Sequence, residues 1–362
     1  MTDIRNLKEY ELIRALSLEF GPSGCEDRVR DMIAQRAREV ADSVKTDRLG
    51  NLICKMSFGD GENRRRIMVS AHMDEVGFMI DDIRSDGMLT FGTVGGIDAS
   101  VLAGRKVFVG NEKELISGVI CSKAIHHKDN DERLKATPKD KLFIDIGCDS
   151  REDAEKLVKI GDFATFDSEC YRFGKDGAMI KGKALDDRMG CAALLEAMDA
   201  LASDPPKESV DVYFCFTVRE EIGYSGAYAA ATQVNPQLSL VLESTAIGDI
   251  PDTPPHRKVA DVGNGVVISV ADRGTLYDRS IVDGALALAD REGISAQIKR
   301  YVSGGNDAGK IHKALCGIKT LAMSVPTRYL HSPSCVAKFT DYISQRELTL
   351  AMIKSFAKGE LI

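Results

Sequence analysis

Val212-Tyr213-Phe214-Cys215-Phe216-Thr217-Val218 runs straight into Arg219-Glu220-Glu221-Ile222-Gly223. An uncharged run this rich in aromatic and β-branched residues reads as a strand buried on both faces, as in the parallel sheet of an α/β protein. Two adjacent carboxylates at its end are hard to place as solvated decoration. Neighbours on a strand end point in different directions, so one can ligate a metal while the other accepts a proton from water. Gly223 to Ala227 then turns the chain into a helix.

The pattern recurs outward from this segment. Ile67-Met68-Val69 leads into Ala71-His72-Met73-Asp74, Leu240-Val241-Leu242 ends at Glu243, and His331 follows a strand over Lys319 to Val325. Leu185-Asp186-Asp187-Arg188 opens a helix from about Asp187 to Leu201. Strand ends on one edge of a sheet converge, so distant residues can surround one point. His72 and Asp74 are two apart and point the same way. Asp74 therefore suits the task of holding the other imidazole nitrogen. Taken alone, Asp186-Asp187 is an acidic pair at the positive end of a helix dipole; the functional reading is a carboxylate that bridges two cations. Lys183 and Arg188 beside it read as surface charges. Asp307, in Gly304-Gly305-Asn306-Asp307-Ala308-Gly309, reads as an N-cap, and the loop lacks the Lys-Ser/Thr of a phosphate loop. His256 and His312 read as ordinary histidines.

Composition narrows the class. An apolar fraction of 44% and a charged fraction of 28% over 362 residues describe a soluble globular chain with a real core. A net charge of −7 argues against nucleic acid or anionic membrane as partner. No run is long enough to span a bilayer, and Met1 to Tyr10 is too polar for a secretory signal. Nine scattered cysteines, without a C-x-x-C pair, read as reduced thiols of a cytoplasmic protein.

Helices are expected over residues 5–19 and from Ser23, where Ser23 and Glu26 fit a capping box. From about Glu75 to Thr165, short apolar runs broken by Gly, Asp and Asn suggest a small β-barrel or sandwich. Strands and helices alternate again after residue 180. The expectation is an α/β fold, a mostly parallel mixed sheet flanked by helices. One catalytic domain (1–74 and 180–362) would carry an inserted β-rich domain (75–179).

Joined in order, these pieces resemble a known family. They include Ala71-His72-Met73-Asp74-Glu75-Val76-Gly77, Gly95-Gly96-Ile97-Asp98, Ile144-Asp145-Ile146-Gly147, Lys183-Ala184-Leu185-Asp186-Asp187-Arg188, Glu220-Glu221-Ile222-Gly223, the Gly304 to Gly309 loop and His331-Ser332-Pro333. Almost end to end, the chain is similar to the M42 metallo-aminopeptidases. These are tetrahedral, self-compartmentalising peptidases of the glutamyl aminopeptidase and endoglucanase M kind, some once described as cellulases. The resemblance implies a zinc-exopeptidase-like fold and two divalent ions bridged by Asp186. His72 and Glu243 would hold one ion, Glu221 and His331 the other. Zinc or cobalt is expected, and manganese also suits such a shell. The resemblance further assigns Glu220 as general base, with Asp74 behind His72. A hydroxide shared by the ions would attack the first peptide carbonyl of a short peptide with a free N-terminus. It also implies a homo-oligomer, up to a dodecamer built from dimers through the inserted domain. Two positions depart from the family: Glu243, where Asp is usual, and Tyr224-Ser225, near which Arg is common. Rival readings are a two-metal deacylase, a non-catalytic peptide-binding protein and a carboxylate-pair glycoside hydrolase. The last is weakened by an aromatic content of 6% without tryptophan.

Overall fold

The computed structural model describes residues 2–360, so Met1, Leu361 and Ile362, which end the expected 1–74 and 180–362 segments, lie outside the described residues. Four strands form the parallel centre of an 11-stranded sheet, in the order Val210–Thr217, Arg65–His72, Leu238–Ala246 and Lys319–Arg328. Their composition explains the position. Ile67, Met68, Val69, Phe214, Cys215, Phe216, Leu240 and Leu242 are fully buried, as strands covered on both faces must be. The flanks are antiparallel: Leu52–Phe58 and Ser43–Thr46 on one side, Cys335–Lys338, Met179–Gly182 and Tyr171–Phe173 on the other. Val266–Ile268 branches from the Lys319–Arg328 strand and carries Ala296–Ile298.

Helices flank the sheet. Leu185–Ser203 packs on the central strands, with Glu9–Leu18, Asp27–Ala37 and Phe339–Lys358 against it. Ser225–Val234 and Ala308–Ile311 pack on each other and on the central strands. Between His72 and Tyr171 the chain forms a closed six-stranded barrel, Gly77–Ile83, Leu89–Val94, Phe143–Asp145, Leu115–Cys121, Lys106–Gly110 and Phe163–Phe166. The barrel has its own core, centred on Phe78, whose ring meets Phe91 and Phe166 edge-on at 5.0 and 5.4 Å. The chain rejoins the large sheet at Tyr171–Phe173.

Two local expectations are corrected. The helix expected from Ser23 begins at Asp27, and Glu26 sits at its N-cap without a side-chain cap bond. Lys183 and Arg188 are buried, not surface charges. Lys183 Nζ is 2.6 Å from Glu75 Oε1, and the Arg188 guanidinium donates to the carbonyls of Met73, Leu16, Glu19 and Gly21. Both are tied to the 73–75 segment, which leaves the His72 strand for the barrel.

Candidate metal centre

All four parallel strands deliver a side chain to the same carboxyl-terminal edge. His72 is the last residue of its strand, Glu220 and Glu221 follow Thr217, Glu243 lies near the end of Leu238–Ala246, and His331 follows Arg328. The fifth contributor, Asp186, sits at the non-helical start of Leu185–Ser203, beside a cis Asp186–Asp187 peptide. Positive φ values at Arg219 (59°), Tyr224 (63°) and His331 (58°) mark left-handed turns that residues other than glycine seldom adopt. They lie where the chain must bend sharply to aim side chains into one space.

Asp186 is the meeting point. Its Oδ1 is 3.3 Å from His72 Nε2 and its Oδ2 is 3.7 Å from His331 Nε2. Glu243 Oε2 approaches His72 Nε2 at 3.7 Å, and Glu221 Oε1 approaches His331 Nε2 at 3.3 Å. Two triads result, His72-Asp186-Glu243 and Asp186-Glu221-His331, with ligand atoms within 4.8 Å of one another; His72-Glu220-Glu221 forms a third such group. Both imidazoles are held from behind by backbone carbonyls. His72 Nδ1 is 3.0 Å from Asp74 O, and His331 Nδ1 is 2.6 Å from Gly96 O. A proton on each Nδ1 leaves both Nε2 lone pairs aimed into the cluster.

Asp74, fully buried, does more than face His72 Nδ1 at 3.5 Å. Its Oδ1 accepts from the Glu220 N–H and its Oδ2 from the Glu221 N–H, both at 3.1 Å, and Ser23 Oγ donates to Oδ2. Glu26 Oε1 accepts from the Arg219 N–H at 3.2 Å and the Gly24 N–H at 2.7 Å. The loop carrying Glu220 and Glu221 is thus clamped through its backbone. Asp307 occupies an N-cap position but makes no cap bond, contrary to its sequence reading; its Oδ2 accepts instead from Thr217 Oγ1 at 2.6 Å.

The electrostatics show excess negative charge under burial. Burial opposes charge on His72, yet Asp186, Asp74, Glu243 and Glu220 outweigh it and hold the imidazolium well above the usual histidine range. Burial likewise opposes charge on His331, but Asp186 and Glu221 raise it to about 11. Burial, reinforced by neighbouring carboxylates, pushes Glu220 and Glu243 well above the carboxylate range against the pull of His72. Burial also resists charge on Asp186, but the two imidazoles win and hold it low. Crowded, buried carboxylates and imidazoles of this kind are what a divalent cation at the same point would relieve. Glu243 Oε1 is buried without a hydrogen-bond partner among the described residues. A mixed imidazole and carboxylate set with bound protons and an orphaned oxygen fits divalent ions.

Every site residue expected from the sequence therefore lies in this cluster or directly behind it. The other four histidines lie outside it. His126, His127 and His256 are exposed, and His312 Nδ1 lies 2.6 Å from Ala308 O within its own helix. Sequence reasoning missed Gly96, Ser23, Glu26 and Thr217. Gly95-Gly96 was visible as a motif, but its contribution is a carbonyl, which no side-chain pattern announces.

The pattern that defines the M42 glutamyl aminopeptidase family matches residues 50–348. The chain is 34% identical to a TET aminopeptidase from a marine sediment archaeon of the Thaumarchaeota, with a TM-score of 0.91 over 97% of this chain and 98% of that one. It is 35% identical to the Pyrococcus horikoshii TET1 peptidase, which can assemble into a tetrahedron or a large octahedral shell; the TM-score is 0.84 over 94% of this chain and 98% of that one. The lysyl aminopeptidase of Pyrococcus furiosus is 28% identical over 350 residues, 96% of this chain and 97% of that one.

Proposed function

The chain belongs to the M42 peptidase family and is a peptide hydrolase of the aminopeptidase kind; from that premise we propose that it removes N-terminal residues from short peptides using two divalent ions and Glu220 as general base. The observation that carries this reading is Asp186, whose two oxygens face two different imidazoles at 3.3 and 3.7 Å. A carboxylate so placed suits a bridge between His72-Glu243 on one side and Glu221-His331 on the other. Zinc or cobalt suits this shell best, with manganese as a third fit. When bound, such ions supply Lewis acidity, polarising the scissile carbonyl and making water more acidic.

The residues do the rest. Glu220 takes a proton from the attacking water and delivers it to the leaving nitrogen. Between the two transfers Glu220 holds the proton. Asp74 fixes the Glu220 and Glu221 amides, which keeps base and ligand on separate headings. A free substrate amine finds carboxylates in the same cleft, which restricts cleavage to the first residue. The longer reach of Glu243, against the family's usual Asp, is accommodated within its 3.7 Å approach to His72.

The proposal extends to the assembly and its setting. Relatives with this fold form closed particles, and a homo-oligomer of dimers, up to a dodecamer, would confine access to short unfolded peptides. In it, 1–74 and 180–362 form the catalytic domain and 75–179 the dimer contacts. The nine cysteines, none of them in a disulfide, suit a cytoplasmic setting.

The test is Glu220→Gln. Turnover of aminoacyl p-nitroanilides should fall by about 100-fold or more while bound metal stays at the wild-type level. Near-normal turnover would remove Glu220 as base.

A further inference from the structure

Attack of water on a peptide carbonyl requires a base, and it also leaves a negative oxygen that requires a donor. Glu220 meets the first requirement, and Tyr224 is placed for the second. Tyr224 lines the same cavity of about 680 Å³ as Asp186, Glu220, Glu221, Glu243 and His331. The turn that carries the base also carries this phenol. The Tyr224 N–H donates to Arg219 O at 3.0 Å and to Glu220 O at 3.3 Å, and the backbone takes its left-handed φ of 63° just before the Ser225–Val234 helix. The Gly304 to Gly309 loop makes room for the ring. A Cβ on Gly305 would lie 3.0 Å from the hydroxyl oxygen and 3.7 Å from the ring carbon that bears it. The loop is held firmly. Gly304 O accepts from the Arg273 N–H at 2.9 Å, Asn306 Nδ2 donates to Asp272 Oδ2 at 3.2 Å, and Asn306 Oδ1 accepts from the Ala308 N–H at 2.8 Å.

The hydroxyl itself is free. Tyr224 is half-buried, yet its Oη has no hydrogen-bond partner among the described residues. Other polar groups of the same wall are taken: Ser244 Oγ donates to Leu185 O at 3.2 Å, and the Asn306 amide is engaged on both sides. Burial, followed by Glu220, Glu243, Asp307 and Glu221, pushes the phenol up to about 12. It keeps its proton at neutral pH and so serves as a donor, not as a base. Among these charges Glu220 acts on it most strongly, so phenol and base share one region of the cleft.

Resting on the aminopeptidase reading above, we propose that Tyr224 is a catalytic residue, its hydroxyl donating a hydrogen bond to the scissile carbonyl oxygen as that oxygen becomes negative. The water oxygen bonds to the carbonyl carbon, Glu220 takes the water proton, and the C=O π pair moves onto the oxygen beside Tyr224. When that pair returns, the C–N bond breaks and the nitrogen receives the proton from Glu220. Tyr224 keeps its own proton throughout. A donor whose bond strengthens only as charge develops lowers the barrier without tightening substrate binding. Tyr224-Ser225 is also one of the two places where the chain departs from its family's pattern.

The test is Tyr224→Phe, alone and combined with Gly305→Ala, on Leu-, Glu- and Lys-p-nitroanilide. Removing a hydroxyl that pairs with nothing should leave melting temperature and bound metal at the wild-type level. The turnover number kcat should fall by about 10- to 100-fold, with KM within about threefold. Calorimetric affinity for the phosphinic analogue of leucyl-alanine, whose P–O⁻ stands for the charged oxygen, should fall by a similar factor, while affinity for L-leucine should not. Gly305→Ala crowds the hydroxyl and should lower kcat by about threefold or more in the wild type. It should change nothing in Tyr224→Phe, where only the ring carbon at 3.7 Å faces the new Cβ. Unchanged kcat and phosphinate affinity in Tyr224→Phe, or a Gly305→Ala effect that is the same in both backgrounds, overturns this inference and leaves the aminopeptidase reading standing. A raised KM with kcat preserved also overturns it, because the phenol then reads the substrate side chain. So does a loss of kcat with a displaced acid limb of the pH profile and full phosphinate affinity, because the phenol then acts through Glu220. Cleavage of none of the three substrates by the wild type overturns both.

Discussion

Ser23 and Glu26 have the spacing of a capping box, yet neither caps the helix that follows. Sequence spacing could not distinguish the two uses, because the competing acceptor and donor, Asp74 and the Arg219 N–H, lie far away in the chain. Glu26 is 5% exposed, and burial, followed by repulsion from Asp74, raises its carboxyl from 4.5 to about 7. A folded pKa above the unfolded one gives stability that is complete below about 4.5 and is lost as pH rises through about 7. Glu26→Gln keeps an Oε1 acceptor for both the Gly24 and Arg219 N–H groups. It should therefore be more stable relative to wild type at pH 8 than at pH 4.5, by up to about 3 kcal/mol. Urea melts at the two pH values check this, and a difference that does not change with pH would contradict it. Asp74 admits no such substitution. Both oxygens accept backbone N–H groups, so Asp74→Asn must turn an amide N–H toward one of them. Activity or metal affinity should fall by about 10- to 100-fold, measured by turnover and bound metal, while a neutral result would deny that Asp74 holds the Glu220 loop.

At the scale of elements, the central strands were legible because a strand covered on both faces must be apolar throughout, as Val212 to Val218 is. The ends were less legible. Helix propensity placed an N-cap at Asp307, but Thr217 on the neighbouring strand took its carboxylate. The three-residue barrel strand Phe143–Asp145 is too short to carry a period. Gly96 was visible only as a glycine, since its part in the site is a carbonyl on His331. The joint between the Val210–Thr217 strand and the Ser225–Val234 helix is where element packing controls the site. Asn51 stitches it, accepting from the Val218 N–H at 3.0 Å and donating to Gly226 O at 2.9 Å. A Cβ on Gly226 would collide with Val218 O and Asn51 Oδ1. Gly226→Ala should therefore destabilise the fold by about 1–3 kcal/mol, read by chemical denaturation. It should also lower kcat, because Glu220 and Glu221 lie between the two elements that are pushed apart. Unchanged stability would mean that this joint is looser than its contacts indicate.

At the scale of the whole molecule, the barrel and the sheet meet at the candidate metals. Asp74 and Glu75 lead into the barrel, and Gly96, in the loop after its second strand, reaches back to His331 Nδ1 at 2.6 Å. Ions bound between the two triads would therefore tie His331, backed from the barrel side, to Asp186 and to ligands from the three other central strands. Their loss should be felt in stability as well as in turnover. A ligand held at about a thousand times its Kd stabilises the folded state by about 4 kcal/mol. Chelator treatment should abolish cleavage and lower the melting temperature, and adding back zinc or cobalt should restore both. The effect should also depend on pH in a definite direction. Without ions, His331 keeps its proton up to about 11 and Glu243 holds its own well above the carboxylate range. Each ion that enters must displace such protons, so affinity rises with pH and metal is lost first on acidification. Metal content measured after dialysis across a pH series gives the slope. Retention that is equal at every pH, or full activity in chelator, would mean that the protons on this cluster do not occupy metal positions.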